Sequence, residues 1–305
     1  MLKFYGKWVP YFFLLPALLL LTMFFFVPFV QTLGLSFSDY STNLYSPTFV
    51  GMKNYLIVFS DSTFRKVLLN TFLFLLMVVP FLTIFPLFLA ILINQKLRGI
   101  TIYKILIYLP VVVSIVVCAI AFKWIYTEHG ILNYLLGTSI GWLTETKFSL
   151  FAVAIVTIWK GIGYYMMIYL ASLMSVPKEL YEACEIDGAN SLQKHFTVTV
   201  PHLMPTIALV STISAISAMK VFAEIYVMTK GGPLNSSKTI VYYIYERAFE
   251  NLDLGVASAM AVVLLVIVFV LSLINICCFE KEKYRLWKWI LNQYFLILFY
   301  FLYLF

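Results

Sequence analysis

Three lysines and one glutamate interrupt long stretches that are otherwise almost free of charge: Lys123, Lys160, Lys220 and Glu224. An ionised side chain in an apolar run costs about 3 kcal/mol on insertion scales, so each is a functional candidate by default. Lys220 and Glu224 stand four apart and on one helix would face each other, either lining a polar path or neutralising each other. Lys123, close to the end of its stretch, reads as snorkelling to the boundary. Covalent chemistry finds little to work with. His129, His195 and His202 fall outside the apolar stretches, and no H-E-x-x-H occurs. Cys118, Cys184, Cys277 and Cys278 lack C-x-x-C spacing, so neither a metal site nor a redox role is expected. No G-x-x-x-x-G-K-[ST] occurs either, and the only Gly-Lys pair, Gly6-Lys7, precedes Trp8. No nucleotide site of that kind is expected on this chain.

The elements that hold these residues follow from composition. The chain has 305 residues, 63% hydrophobic and 11% charged, with a mean hydropathy of +0.95. Soluble proteins carry about 25% charged residues, so there is too little polar surface here to solvate a globule. A soluble enzyme and a disordered chain are both excluded, and a polytopic membrane protein remains. A spanning helix needs about 20 apolar residues. Six such runs lie near 11–33, 67–93, 104–126, 149–174, 204–228 and 256–279. The expected fold is all-α, a bundle of six transmembrane helices. The first run continues through Val27 and Val30 without an A-x-A-like site, so it reads as an uncleaved helix and not a secretory signal.

The net charge of +7 comes from Lys and Arg scattered over short loops, a topology signal and not a nucleic-acid surface. Lys3, Lys7, Lys96, Arg98, Lys104, Lys178, Lys194, Lys281, Lys283, Arg285 and Lys288 fall on one side. Lys53, Arg65, Lys66, Lys147, Lys230, Lys238 and Arg247 fall on the other. The positive-inside rule then puts the amino terminus in the cytoplasm. Pro16, Pro28, Pro80, Pro86 and Pro110 predict kinked, packed helices. Residues 1–280 form the expected membrane domain. Beyond it, 281–305 is a basic segment followed by an atypical apolar tail, either a truncated or interfacial helix or a terminus altered by a reading-frame change.

One connection is too polar to be a simple joint. Residues 175–205 contain Pro177, then Glu179, Glu182 and Glu185 at intervals of three, favourable charges near a helix start and aligned on one face. Leu180, Ala183 and Cys184 make a short apolar face alongside. Gly188 and Ala189 end that helix, Asn190 or Ser191 caps a second, and Pro201 and Pro205 mark re-entry into the membrane. The spacing predicts a helix-turn-helix lying on the membrane. Small residues beside Glu182 and Asp187 suit a partner's groove better than anionic lipid.

Glu182-Ala183-Cys184, Asp187-Gly188-Ala189, Phe196 and Val198-Thr199-Val200-Pro201 resemble the E-A-A-x-x-D-G-A…F…I-x-L-P loop of permease subunits of binding-protein-dependent ABC importers. Phe49–Tyr55, Asn70-Thr71, Thr229–Pro233 and Gly255–Ala259 resemble elements of the carbohydrate branch, especially the first permease of maltose-, multiple-sugar- and glycerol-3-phosphate-type systems. Cys184 replaces the usual second Ala. The resemblance implies a bacterial inner-membrane subunit that catalyses no covalent step, binds no cofactor itself, and forms the path with a second permease. It implies a coupling helix, carried here by Glu182, Ala183, Cys184, Asp187, Gly188, Ala189 and Pro201, seated in one of two cytoplasmic ATPase subunits that use ATP and Mg²⁺. It also implies a sugar-binding protein outside, with Gly231, Gly232 and Pro233 as candidate contacts. Asn54 and Tyr55 read as fixing the outer loop and not as binding sugar.

Trp159, Lys220, Phe222 and Glu224 are the candidates for the solute path, since a sugar needs hydrogen-bonding groups beside stacking faces. An ion-gradient-driven secondary transporter is the alternative. It calls for inverted repeats and intramembrane acids, and Glu224 is the single acid within the runs.

Overall fold

Apolar runs this long can satisfy their peptide groups in lipid only by hydrogen bonding within the run, and so they become helices. The computed structural model describes residues 9–39, 48–95 and 99–279. In chain order, α1 (Val9–Leu21) continues through a π-turn, Thr22–Phe26, into α2 (Val27–Ser36). Strand β1 (Ser38–Asp39) pairs antiparallel with β2 (Thr48–Phe49), and α3 (Lys53–Ser60) and α4 (Ser62–Ile93) follow. Then come α5 (Ile100–Val112), α6 (Ile115–Ile125), the short α7 (Ile131–Leu136) and α8 (Ser149–Leu173). The polar connection holds α9 (Lys178–Ile186) and α10 (Ser191–Lys194). The chain goes on through α11 (Val200–Met219), α12 (Ala223–Met228), α13 (Ile240–Tyr245) and α14 (Leu254–Phe279).

Among the described residues, five helical stretches are long and apolar enough to cross a membrane, and a sixth span is formed only by a bent pair. The third run is not one helix: α5 and α6 meet at 95° around Val113 and Ser114. Pro110 sits in the last turn of α5, where it withdraws an amide donor and weakens the helix just before the bend. The fifth run also breaks, between Met219 and Ala223. Pro80 and Pro86, by contrast, lie within an uninterrupted α4. Of the sequence features noted above, Lys3, Lys7, Lys96, Arg98 and the segment 281–305 lie outside the described residues.

Two compact units divide the chain. One takes in residues up to Ser60 together with Ile244–Val266. Within it the Asn54 amide donates to the carbonyls of Ser36 at 3.0 Å and Ser38 at 2.9 Å, and the Tyr55 hydroxyl meets Ser36 Oγ at 2.8 Å. Both side chains fix the loop on the helix that precedes it, as expected.

The other unit comprises Asp61–Tyr243 and Ile267–Lys281. Its centre is α4, whose residues Val67, Thr71, Phe74, Val78, Leu82, Pro86 and Ala90 recur every three or four positions as a buried stripe. Against that stripe pack Tyr165, Met166 and Tyr169 of α8 and Leu203 and Val210 of α11. Helices α5 and α8 approach closely at Gly163, where a Cβ would overlap the Ile107 carbonyl. A small residue there lets the two backbones touch, as in other lipid-embedded crossings.

Candidate functional site

The 175–205 connection is a braced structure. Pro177, with extended backbone (φ −61°, ψ 136°), precedes α9 and places Glu179 in its first turn. Gly188 ends the turn in the left-handed region at φ +78°, a conformation that costs a side-chain-bearing residue about 1–2 kcal/mol. Asn190 and Gln193 then form a reciprocal cap on α10, with bonds of 2.8 and 2.9 Å. Lys194 Nζ closes the loop on itself by pairing with Glu185 Oε1 at 2.5 Å. Beneath, Tyr181 and His195 both meet the fully buried Thr199 hydroxyl, at 2.8 and 3.1 Å. The loop arches over a cavity of about 310 Å³ that also touches Asn94 and Gln95 at the end of α4 and Leu173 at the end of α8.

This bracing decides what faces outward. Glu182, Ala183, Asp187, Gly188 and Pro201 are exposed, and Cys184 and Ala189 are half-buried. The acidic row splits, because Glu185 pairs with Lys194 while Glu182 is exposed. The apolar face divides as well. Leu180 and Ala183 point outward, and the side packed on the protein is Tyr181 with Cys184, since Tyr181 reaches Thr199. Ile186, Leu192 and Phe196 are all largely exposed around this rim, an apolar cluster on an otherwise polar loop.

Toward α11 the chain does not break at its prolines. A π-turn over His195–Thr199 leads into α11, with Pro201 in the first turn and Pro205 inside the helix. The wider turn accommodates the carbonyl that Pro201 cannot satisfy. The loop and the membrane helix therefore form one continuous lever from Ser191 to Met219, roughly 40 Å at about 1.5 Å per residue.

At the far end of that lever lie the charged candidates. Lys220 and Glu224 do not share a helix: α11 ends at Met219, Phe222 is non-helical (φ −137°), and Glu224 belongs to the first turn of α12. The physical reason is a competing donor, since Thr239 Oγ1 takes the Val221 carbonyl at 3.0 Å. Glu224, only 9% exposed, accepts from Thr157 Oγ1 of α8 at 3.3 Å and lies within electrostatic reach of Lys160. Phe222 stacks with Tyr226 and Tyr242, at centroid distances of 5.5 and 6.3 Å, while Trp159 packs on Phe122 at 5.1 Å. The path candidates thus occupy separate aromatic neighbourhoods on α8 and α12.

Lys160 has a role that its position in the sequence did not disclose. Its ammonium donates to the carbonyls of Pro110, Val111 and Val113 at 3.3, 3.1 and 2.8 Å. It caps the end of α5 where the third span breaks, and a cation is favoured there by the helix dipole. Lys123 is exposed, in keeping with snorkelling.

The 229–239 segment is strapped to the starts of α4 and α8, at the opposite end of this unit from the 175–205 loop. Asn70 Nδ2 donates to the carbonyls of Asn235 and Lys238 at 2.7 and 3.0 Å, and Lys66 Nζ to that of Leu234 at 2.8 Å. Thr71 Oγ1 accepts from the Ile240 amide, and Ser149 meets Ser236. Gly231 is buried against the Lys238 side chain and Gly232 and Pro233 are half-buried, so the outward positions of this turn are Lys230 and Leu234. The Asn70-Thr71 pair is visible in the sequence as a dipeptide, but its partners lie 165 to 169 residues away.

Comparison with known proteins agrees with this arrangement. Residues 56–276 match a family described as "Binding-protein-dependent transport system inner membrane component". The probable ABC transporter permease protein YurN of Bacillus subtilis is 36% identical, over 91% of this chain and 98% of its own. The arabinooligosaccharides transport system permease protein AraP of Halalkalibacterium halodurans is 34% identical, over 88% of this chain and 86% of its own. A bacterial alginate ABC transporter, solved in complex with an alginate pentasaccharide-bound periplasmic protein, shares the fold with a TM-score of 0.78 at 23% identity, over 90% of this chain and 95% of that one. The match takes in α4 to α12 and the braced loop alike, and the chain belongs to the family of binding-protein-dependent transport system inner membrane components.

Proposed function

We propose that this chain is one membrane-spanning subunit of an ATP-driven carbohydrate importer, forming the translocation path with a second, different permease. The observation that carries the reading is the 175–205 loop, rigidly braced yet presenting Glu182, Ala183, Asp187 and Gly188 outward, and continuous with α11. Two cytoplasmic ATPase subunits bind ATP and Mg²⁺ and grip this loop and its counterpart. On their closure the Ser191–Met219 lever tilts and carries the break beside Glu224 with it. The amino terminus is cytoplasmic, and an extracytoplasmic binding protein delivers the solute near Lys230–Leu234. The arabinooligosaccharide relative supports an oligosaccharide as solute, and the aromatic faces of Phe222, Tyr226 and Trp159 suit one.

Purification of the tagged chain from its native membrane in mild detergent, with co-purifying proteins identified by mass spectrometry, tests this. A second permease and an ATPase are expected. A chain recovered alone that moves solute in liposomes without ATP overturns the reading in favour of an ion-gradient-driven transporter.

A further inference from the structure

The short helix α7 is built inside out. Its residue at the centre of the connection is polar: Asn133, 2% exposed, donates to the carbonyls of Thr127, Glu128 and Ile140 at 3.3, 3.1 and 2.8 Å. It also accepts from Thr138 Oγ1 at 3.1 Å and from the Trp142 indole at 2.9 Å. This one amide ties both ends of the 127–142 segment together. Trp142 docks the segment on the bundle through Tyr126 and Phe148, at centroid distances of 6.0 and 5.6 Å.

The face turned outward is apolar. Ile131, Tyr134 and Leu135, on one side of the helix by their spacing, are 65, 86 and 73% exposed. Leu136 beside them is more than half exposed, and no charged residue occurs from Gly130 to Leu143. The Asn133 network prevents this face from collapsing inward, so something outside the chain must keep it dry. The surface next to it indicates what. On α6 the exposed Val117, Ile120 and Trp124 form a stripe along the span, ending in Trp124 at 74% exposure with Lys123 exposed beside it. A Trp with a snorkelling Lys at the end of a span marks headgroup level, where Tyr is also enriched. The α7 face follows α6 directly in the chain, joined to it by residues 126–130, and is apolar like the stripe. Exposed Glu128, His129, Thr138 and Ser139 border the apolar face without interrupting it, as the polar side of a helix lying in a membrane interface does.

We propose that α7 is an interfacial anchor, lying in the headgroup layer of the membrane face opposite the 175–205 loop. Ile131 and Leu135 enter the acyl boundary, and the Tyr134 hydroxyl and Trp124 indole sit among the headgroups. The anchor holds the outer end of the broken α5–α6 segment at a fixed depth through Tyr126 and Trp142.

The wild-type protein with its co-purifying subunits, in vesicles of phosphatidylethanolamine and phosphatidylglycerol doped with a phospholipid bearing a photoactivatable diazirine near its headgroup, provides the test. After illumination, peptide mapping by mass spectrometry is expected to find lipid adducts on 131–136 as well as on Trp124. Adducts on 116–124 with none on 131–136 overturn the proposal. So does loss of the 131–136 adducts when the solute-loaded binding protein is added, which would make the face a protein dock. The double substitution Tyr134→Glu with Leu135→Glu is expected to lower adducts on this peptide about tenfold while those on α6 persist, because a charge is expelled from the interface. Unchanged adducts in that variant would also refute the anchor.

Discussion

Lys160 Nζ donates to the carbonyl oxygen of Val113 at 2.8 Å, across 47 residues of chain. With the Val111 and Pro110 carbonyls as its other acceptors, one ammonium satisfies the backbone groups that a 95° break in a membrane helix leaves open. Unpaired carbonyls in lipid have no water to turn to, so the bent third span depends on a side chain of the fourth. Replacement Lys160→Met is expected to cost about 2 kcal/mol, the usual penalty for polar groups left without a partner away from water. Lys160→Arg restores only part of this, since a planar fork cannot set three donors around one point. Thermal unfolding of the purified complex in detergent measures both. A Lys160→Met protein that melts with wild type would show that the carbonyls find other donors.

Glu224 is the buried acid at the break in the fifth span, held by Thr157. Glu224→Gln keeps an acceptor for that hydroxyl and removes only the charge. Assembly is expected to be retained while solute uptake falls roughly tenfold, about 1.4 kcal/mol in a rate. Uptake by radiolabelled solute in intact cells, normalised to the amount of chain in the membrane, reports the effect. Unchanged uptake would reduce Glu224 to a structural charge.

Gly188 has open space around it but a left-handed backbone, so substitution there tests conformation without a clash inside this chain. Gly188→Val is expected to disturb the α9–α10 turn by about 1–2 kcal/mol and to abolish solute-stimulated ATP hydrolysis, with insertion intact. Gly188→Asn, which tolerates this conformation, is expected to retain most of it. Equal activity in both variants and wild type would remove the turn from the coupling surface.

Asn70 binds the 229–239 segment through two carbonyls. Asn70→Leu, similar in size, is expected to loosen that segment by about 2 kcal/mol without disturbing α4. Amide hydrogen exchange over 229–239 is expected to accelerate roughly thirtyfold if exchange follows local opening. Exchange at the wild-type rate would mean that Lys66, Thr71 and Ser149 hold the segment without it.

Much of this protein is decided along the chain. The apolar runs become helices because lipid leaves their peptide groups no other partners, and the 175–205 loop carries its own start, stop and cap in Pro177, Gly188 and Asn190. These are local interactions, within about one helical turn, and residue type and spacing suffice to read them. Tertiary structure decided the rest. Hydropathy sees one span in 104–126 and one in 204–228, yet each is broken, and Lys220 and Glu224 fall on opposite sides of a break. Lys160 became a helix cap, Asn70 a loop strap and Glu185 the ion-pair partner of Lys194. A buried polar group takes the nearest complementary atom in space, and in a packed bundle that atom belongs to a helix far away in sequence.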